Sequence, residues 1–341
     1  MELRPLGTSG LKVSVLSLGA MTFGESASFM KGVTSTDDDA RRVFDRAVER
    51  GVNLVDTANV YNEGKSEELT GEWIKGKRES LLVATKCRFP LGFGFTGTPG
   101  PHDSGTSRKH IMSACEGSLR RLKTDFVDLY QIHMQDTTVR IEETLRALDD
   151  LVTQGKVRYI GCSNYAGYRL VESLWTSDKL RTHRFESVQL QWSLLERGAE
   201  REMIPACRTF GLGTLIWSPL ASGFLSGKYR RDQPLPTGAR LTEWKDTMKR
   251  LGTERSYALL DVLDKVAKRR EATPAAVSIA WLLAKRETSS VILGARTVAQ
   301  LDDNMKALDV RLSEEDMADL DEASKPDWGY PYSMIARMQK W

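Results

Sequence analysis

Short apolar, strand-like runs alternate with helical segments through nearly the whole chain, and few architectures accommodate so regular an order. A strand, then a helix, then another strand argues for a parallel sheet with the helices outside it. In DDDARRVFDRAVERG, Ala40, Val43, Phe44, Ala47 and Val48 recur at helical spacing, Gly51 closes the segment, and strand NLVDT follows at once. The order continues with helix SEELTGEWIKG, strand LLVATK, helix SRKHIMSACEGSLRRLK, strand FVDLYQIH, helix RIEETLRALDDLVTQG, strand VRYIGCS and helix YRLVESLWTSD. It ends with strand ESVQLQW, helix EREMIPACRTF, strand GTLIWS, helix TPAAVSIAWLLAK (capped by Thr273, with Pro274 first), strand SVILG and helix VAQLDDNMKAL. Counted from VSVLSLG the strands number eight, which closes an α/β fold of the (β/α)8 or TIM-barrel type. The preceding LRPLGTSGLKVSV reads as an N-terminal β-hairpin plugging one end.

A chain of 341 residues can be filled by one such barrel, so residues 1–341 are read as a single domain. Three segments break the rhythm: Arg88 to Thr106, Pro219 to about Thr253, and 324–341. The first two follow strands, which places them over the catalytic face; the aromatic-rich third is either a strap over the barrel or a pocket wall. The 49 basic and 46 acidic side chains nearly cancel, and the runs Arg120-Arg121 and Lys268-Arg269-Arg270 read as solvated helix faces rather than nucleic-acid contacts. Four widely spaced cysteines without a CxxC pair or a metal-ligand spacing suit reduced thiols in a cytoplasmic protein. Neither an export signal nor a membrane span is indicated.

Three strand ends carry reactive groups: Asp56 and Tyr61 after NLVDT, Lys86 in LLVATK, and His133 after VDLYQI. In a parallel barrel all carboxyl ends open on one face, so these residues converge there. An ammonium beside a phenol favours its ionised form, so Lys86 is expected to lower the pKa of Tyr61, while Asp56 holds the amine charged. His133 is placed to hydrogen-bond a carbonyl oxygen. With no metal set, no nucleophilic serine with its base and no second nearby carboxylate, the group suits proton donation to a developing alkoxide, and hence carbonyl reduction by an external hydride.

The segments LGTSGLKVSVLSLGAMTFG, NLVDTANVYNEGKSEELTGEWI, SLRRLKTDFVDLYQIH, GKVRYIGCSNY, VQLQWSLLER, WSPLASGFLSGKY and ILGARTVAQLDDN resemble the aldo-keto reductase family. The resemblance implies that Tyr61 is the general acid, tuned by Lys86 and Asp56, with His133 orienting the carbonyl. It implies an NADPH/NADP+ site in which Ser163, Asn164 and Gln189 hold the nicotinamide carboxamide and Trp217 stacks on the ring. Ser218, Pro219, Leu220, Lys228 and Arg240 would wrap the pyrophosphate. Gly294, Ala295, Arg296, Gln300, Asp303 and Asn304 would meet the adenosine end, with Arg296 forking the 2′-phosphate. Gly294 and Gln300 stand where relatives carry basic side chains, which implies a weaker preference for NADPH over NADH. Asn59, where relatives carry acidic or aromatic residues, bears on substrate shape.

Phe23, Phe89, Phe93, Phe95, Trp192 and Tyr229 would line an apolar pocket for a hydrophobic or polycyclic carbonyl compound, unless they are ordinary packing. The expected partner is a small-molecule carbonyl or alcohol substrate, with no nucleic acid or membrane, in a monomer or small homo-oligomer. The alternative is a cofactor-binding redox sensor like the potassium-channel β subunits that resemble the same family. A third reading, an aldolase with a Schiff base on Lys86, is opposed by Asp56, which would keep the amine protonated.

Overall fold

A computed structural model describes residues 1–26, 30–91 and 99–338. The hairpin pairs β1 (Leu3–Pro5) with β2 (Lys12–Ser14). Gly7 in its turn has φ +62°, and a Cβ there would lie 2.4 Å from the Gly211 carbonyl oxygen, so only glycine fits. Leu6 and Val13 of the hairpin pack onto Leu54, Ala84, Leu129 and Leu215 inside the barrel, near the amino ends of its strands. The hairpin therefore closes the face opposite the strand carboxyl ends, as its sequence predicts.

Eight parallel strands close the barrel: β3 (Leu16–Gly19), β4 (Leu54–Asp56), β5 (Leu82–Cys87), β6 (Val127–Ile132), β7 (Val157–Ser163), β8 (Phe185–Gln191), β9 (Gly213–Trp217) and β10 (Thr288–Leu293), the last pairing with β3. Every residue of β6 and of β10 is buried, as expected for strands covered on both faces. Around them lie α1 (Asp37–Glu49), α2 (Lys65–Trp73), α3 (Arg108–Leu122), α4 (Ile141–Thr153), α5 (Gly167–Leu180) and α6 (Met203–Phe210). Beyond β9 come α7 (Arg240–Glu243), α8 (Lys245–Leu251), α9 (Glu254–Arg269) and α10 (Pro274–Ala284); beyond β10 come α11 (Val298–Met305), α12 (Glu314–Ala323) and α13 (Tyr332–Met338).

The helix start read at Thr273 holds, with Thr273 capping α10 and Pro274 at its first position, and the Thr36 side chain, not read from sequence, accepts from the Asp39 N–H to start α1. Among the described residues five helices lie outside the segments assigned from sequence, α7, α8, α9, α12 and α13, and two of them are ten residues or longer. One is α9, which buries Leu259, Leu260, Leu263 and Val266 behind a Thr253 cap; the other is α12, which opens on a Ser313/Asp316 capping box.

The basic runs require a correction. Arg121 bonds the fully buried Glu67 at 2.7 Å, while Arg269 and Arg270 both pair with buried Asp316, so these runs pin helix to helix rather than face solvent alone. In the tail, the Tyr332 hydroxyl donates to Glu202, which precedes α6, and the Arg201 guanidinium lies 4.8 Å from its ring. Among the described residues no helix is long and apolar enough to cross a membrane. Phe93, Phe95 and Trp341 lie outside the described residues.

Candidate active site

Each strand end delivers its side chain through its own local geometry. Asp56 is the last residue of β4, and the chain then turns through Asn62, Glu63 and Gly64, all at positive φ. The Asn62 side-chain amide donates to the carbonyls of Phe23, Gly24 and Glu25, fastening this turn to the loop after β3 and fixing Tyr61. Lys86 lies one residue from the end of β5 and is fully buried. His133 follows β6, its backbone N–H bonded to the Cys87 carbonyl at 2.8 Å.

The four predicted residues come together. The Lys86 ammonium donates to Asp56 Oδ1 at 2.5 Å, to the Thr57 carbonyl at 2.9 Å and to the Tyr61 hydroxyl oxygen at 3.1 Å. An ammonium has three N–H bonds, so all are used. Asp56 Oδ2 accepts from Gln189 at 2.7 Å and from Gln131 at 3.3 Å. The His133 ring stands edge-on to Tyr61 at 5.6 Å and to Phe89 at 5.1 Å.

The electrostatics of the phenol differ from expectation. Burial raises Tyr61 above the ordinary tyrosine range; Lys86 opposes this and Asp56 adds to it, so the phenol stays protonated instead of becoming more acidic. A lone ammonium cannot offset this desolvation when a carboxylate already shares it. Burial disfavours the charge of Lys86, but Asp56 and then Tyr61 outweigh this and hold the amine above the ordinary lysine range. Burial, followed by the charges of Lys86 and Arg88, pushes His133 well below the usual 6.5, so its ring is neutral near pH 7.

This last shift has a stability consequence. The unfolded chain binds a proton on His133 at higher pH than the folded one, so the neutral ring's contribution is complete above about 6.5 and is lost as pH falls. Melting temperature should therefore drop between pH 7.5 and pH 5.5, and His133→Asn should drop less. The slope per buried histidine reaches ~1.4 kcal/mol per pH unit. Equal acid loss in both proteins would assign the drop to other groups.

The positions read as cofactor contacts occupy one arc of the same face. Ser163 ends β7; Asn164 is left-handed at φ +53° and donates to the His133 carbonyl at 2.9 Å. Both Gln189 N–H groups go to Asp56 and Gln131. Trp217 ends β9, with a buried indole N–H that has no partner among the described residues. The loop beyond runs through Ser218, Pro219 and Leu220, with Ser218, Ala221, Ser222 and Gly223 all at positive φ, and the Ser222 N–H donates to Ser218 Oγ.

Three cations follow this loop: Lys228, Arg240 and Arg296. Among the described residues none of them has a carboxylate within ion-pair distance. Burial and then the charges of Arg296 and Arg240 lower Lys228, and burial and Arg296 lower Arg240. The Arg296 guanidinium bonds the carbonyls of Gly32 and Gly238, and its backbone N–H donates to Gln300. Gly294 is exposed with open space where a Cβ would stand, Asn304 is buried, and Asp303 is paired with Lys306.

The sequence pattern of the Aldo/keto reductase family matches residues 15–325. The chain is 37% identical to a "putative aryl-alcohol dehydrogenase" of Schizosaccharomyces pombe, over 94% of this chain and 95% of that protein. An "uncharacterized oxidoreductase" of Bacillus subtilis is also 37% identical, with 92% and 93% covered. A "probable voltage-gated potassium channel subunit beta" of Arabidopsis thaliana is 34% identical, with 91% and 92% covered. The chain belongs to the aldo/keto reductase family.

Several residues of this aldo/keto reductase have other places than sequence reading gave them. Phe23 is fully buried against Trp73, Trp192 packs on Trp281 and donates to Glu200, and Tyr229 stacks on Phe224 while its hydroxyl accepts from the Leu241 N–H. These three are core, not pocket lining; Phe89 alone of the described set borders His133. Asn59 is buried, and its side-chain amide donates to the Phe89 carbonyl at 3.0 Å. Gln131 was missed, although it stands two residues before His133 and so shares its face by strand alternation. Arg88, two residues after Lys86, was missed too; it lies just past the end of β5 at φ +137°, where strand alternation no longer applies.

Proposed function

We propose that this aldo/keto reductase interconverts a hydrophobic or polycyclic carbonyl compound with its alcohol, preferring NADPH to NADH. The observation that carries the reading is the saturated ammonium of Lys86. Because all three of its N–H bonds are used, the Tyr61 oxygen accepts from it and keeps its own proton for another acceptor. Tyr61 donates that proton to the carbonyl oxygen during reduction, and Lys86, held by Asp56, stabilises the phenolate left behind. The neutral His133 orients the carbonyl. The bound nicotinamide supplies the hydride. A Schiff base on Lys86 is opposed by the amine's raised basicity.

The preference for NADPH is supported by the three cations without counter-charges, a donor set that suits phosphate oxygens. Ser163, Asn164, Gln189 and Trp217 would hold the nicotinamide; Ser218, Pro219, Leu220, Lys228 and Arg240 the pyrophosphate; Gly294, Arg296, Gln300, Asp303 and Asn304 the adenosine end. The unpaired, buried thiols fit a reducing, cytoplasmic setting. The aromatic substrate class is supported by Phe89 beside His133 and by the name carried by the yeast relative.

Loss of reduced-nicotinamide absorbance with a panel of aromatic aldehydes and ketones tests the reading. Cofactor binding without turnover across the panel would favour the partner-subunit alternative, which the likeness to channel β subunits supports. Arg296→Ala should weaken NADPH ten- to a hundredfold, ~1.5 to 3 kcal/mol, and NADH much less, as read by tryptophan fluorescence. Equal weakening of both would make Arg296 a tie between the Gly32 and Gly238 loops and no more.

A further inference from the structure

Arg88 combines three features that packing alone does not require. Its backbone lies at φ +137°, a region that L-residues avoid and that persists only when the surroundings over-determine it. Here they do: the Cys87 carbonyl accepts from His133 N–H at 2.8 Å, the Arg88 carbonyl from Gly105 N–H at 2.7 Å, and the Phe89 carbonyl from Asn59 at 3.0 Å. Three consecutive carbonyls are thus gripped by three different segments of the catalytic face. Glycine would adopt this backbone without strain, yet the position carries the largest cation available.

The second feature is the head group. The Arg88 guanidinium lies 4.9 Å from the Phe89 ring centroid, and the same ring meets His133 edge-on at 5.1 Å, so the three side chains form one contiguous rim at the end of β5 and β6. The third is its lack of partners. Arg88 Nε is buried without a hydrogen bond, and among the described residues no carboxylate lies within ion-pair distance of the guanidinium. Asp136, the acid on which its field acts, is already bonded by the Thr106 N–H and by the N–H and hydroxyl of Thr138. A half-buried guanidinium with no carboxylate partner among the described residues is costly unless an anion completes it.

We propose that Arg88 is a substrate anchor, selecting carbonyl compounds that carry a carboxylate on the ring or chain attached to the carbonyl. This rests on the reductase reading above and narrows its substrate to aromatic carbonyl acids. Arg88 supplies the bidentate fork for the carboxylate, and His133 the contact to the carbonyl oxygen. Lys228 and Arg240 stand beyond β9 and Arg296 beyond β10, in the set proposed above for the cofactor.

The test compares 2-, 3- and 4-carboxybenzaldehyde with the matching carbamoylbenzaldehydes, in the unaltered enzyme and in Arg88→Gln. For at least one isomer the acid should exceed its amide in kcat/KM by about tenfold or more, chiefly through KM, as expected for a charge-assisted pair of ordinary strength. In Arg88→Gln the ratio should fall to about one, the acid losing its advantage chiefly through a raised KM. Arg88→Gly, which relieves the backbone, guards against misfolding and should lose the same preference. A ratio near one in the unaltered enzyme, or one that survives both substitutions, overturns the proposal. If neither compound is turned over, the reductase reading fails by itself. Calorimetry with the corresponding hydroxymethylbenzoates and their amides then decides for Arg88: an acid preference lost in both variants supports the anchor, and equal binding of acid and amide overturns it.

Discussion

Tyr61→Phe is expected to lose at least about a hundredfold in kcat for carbonyl reduction, the ordinary contribution of a positioned general acid. The substitution removes one oxygen and leaves the ring edge against His133 in place. The Lys86 ammonium loses one of its three acceptors, at a cost of about 1 to 3 kcal/mol in stability. NADPH affinity should be nearly unchanged, because no proposed cofactor contact is removed. In the unaltered protein, reduction should be level through neutral pH and decline only in alkali, since burial holds the phenol protonated beyond its ordinary range. Near-normal turnover in folded Tyr61→Phe would reject Tyr61 as the acid, and a fall in rate beginning near pH 7 would reject the protonated-phenol mechanism.

Lys86→Met should abolish turnover and also destabilise the fold. Removing one partner of a buried pair leaves the other uncompensated, typically at ~3 to 5 kcal/mol, and Asp56 would retain only the amides of Gln131 and Gln189. The double substitution Asp56→Asn with Lys86→Met removes both charges and should recover much of the stability, yet no activity, because nothing then stabilises the phenolate. Denaturant midpoints and turnover, measured on the single and double variants, separate the two roles. Recovery of turnover in the double variant would show that the ammonium has no part in the chemistry.

The barrel itself was legible in the chain because its determinants are local. Period and punctuation decide a strand or a helix within a dozen residues, as with the buried positions of α1 and the Thr273-Pro274 start of α10. The convergence of Asp56, Tyr61, Lys86 and His133 was legible too, since a parallel barrel brings all its strand carboxyl ends to one face. What the sequence could not settle was how a side chain's environment sums over distant segments. Phe23, Trp192 and Tyr229 look like pocket aromatics in one dimension and are core in three. The basic runs look solvated until Glu67 and Asp316 are found buried beneath them.

By itself, then, the sequence determined the eight-stranded alternation, the plugging hairpin and the set of reactive side chains, all encoded by neighbours along the chain. Only the tertiary structure decided the protonation of Tyr61, which depends on desolvation and on an ammonium shared with Asp56 and the Thr57 carbonyl. Only it decided that Arg88 stands strained next to Phe89, with no carboxylate partner among the described residues, because that conformation is imposed by hydrogen bonds from His133, Gly105 and Asn59, segments far apart in sequence. Local preference is additive along the chain, whereas burial and charge are properties of a volume that only folding assembles.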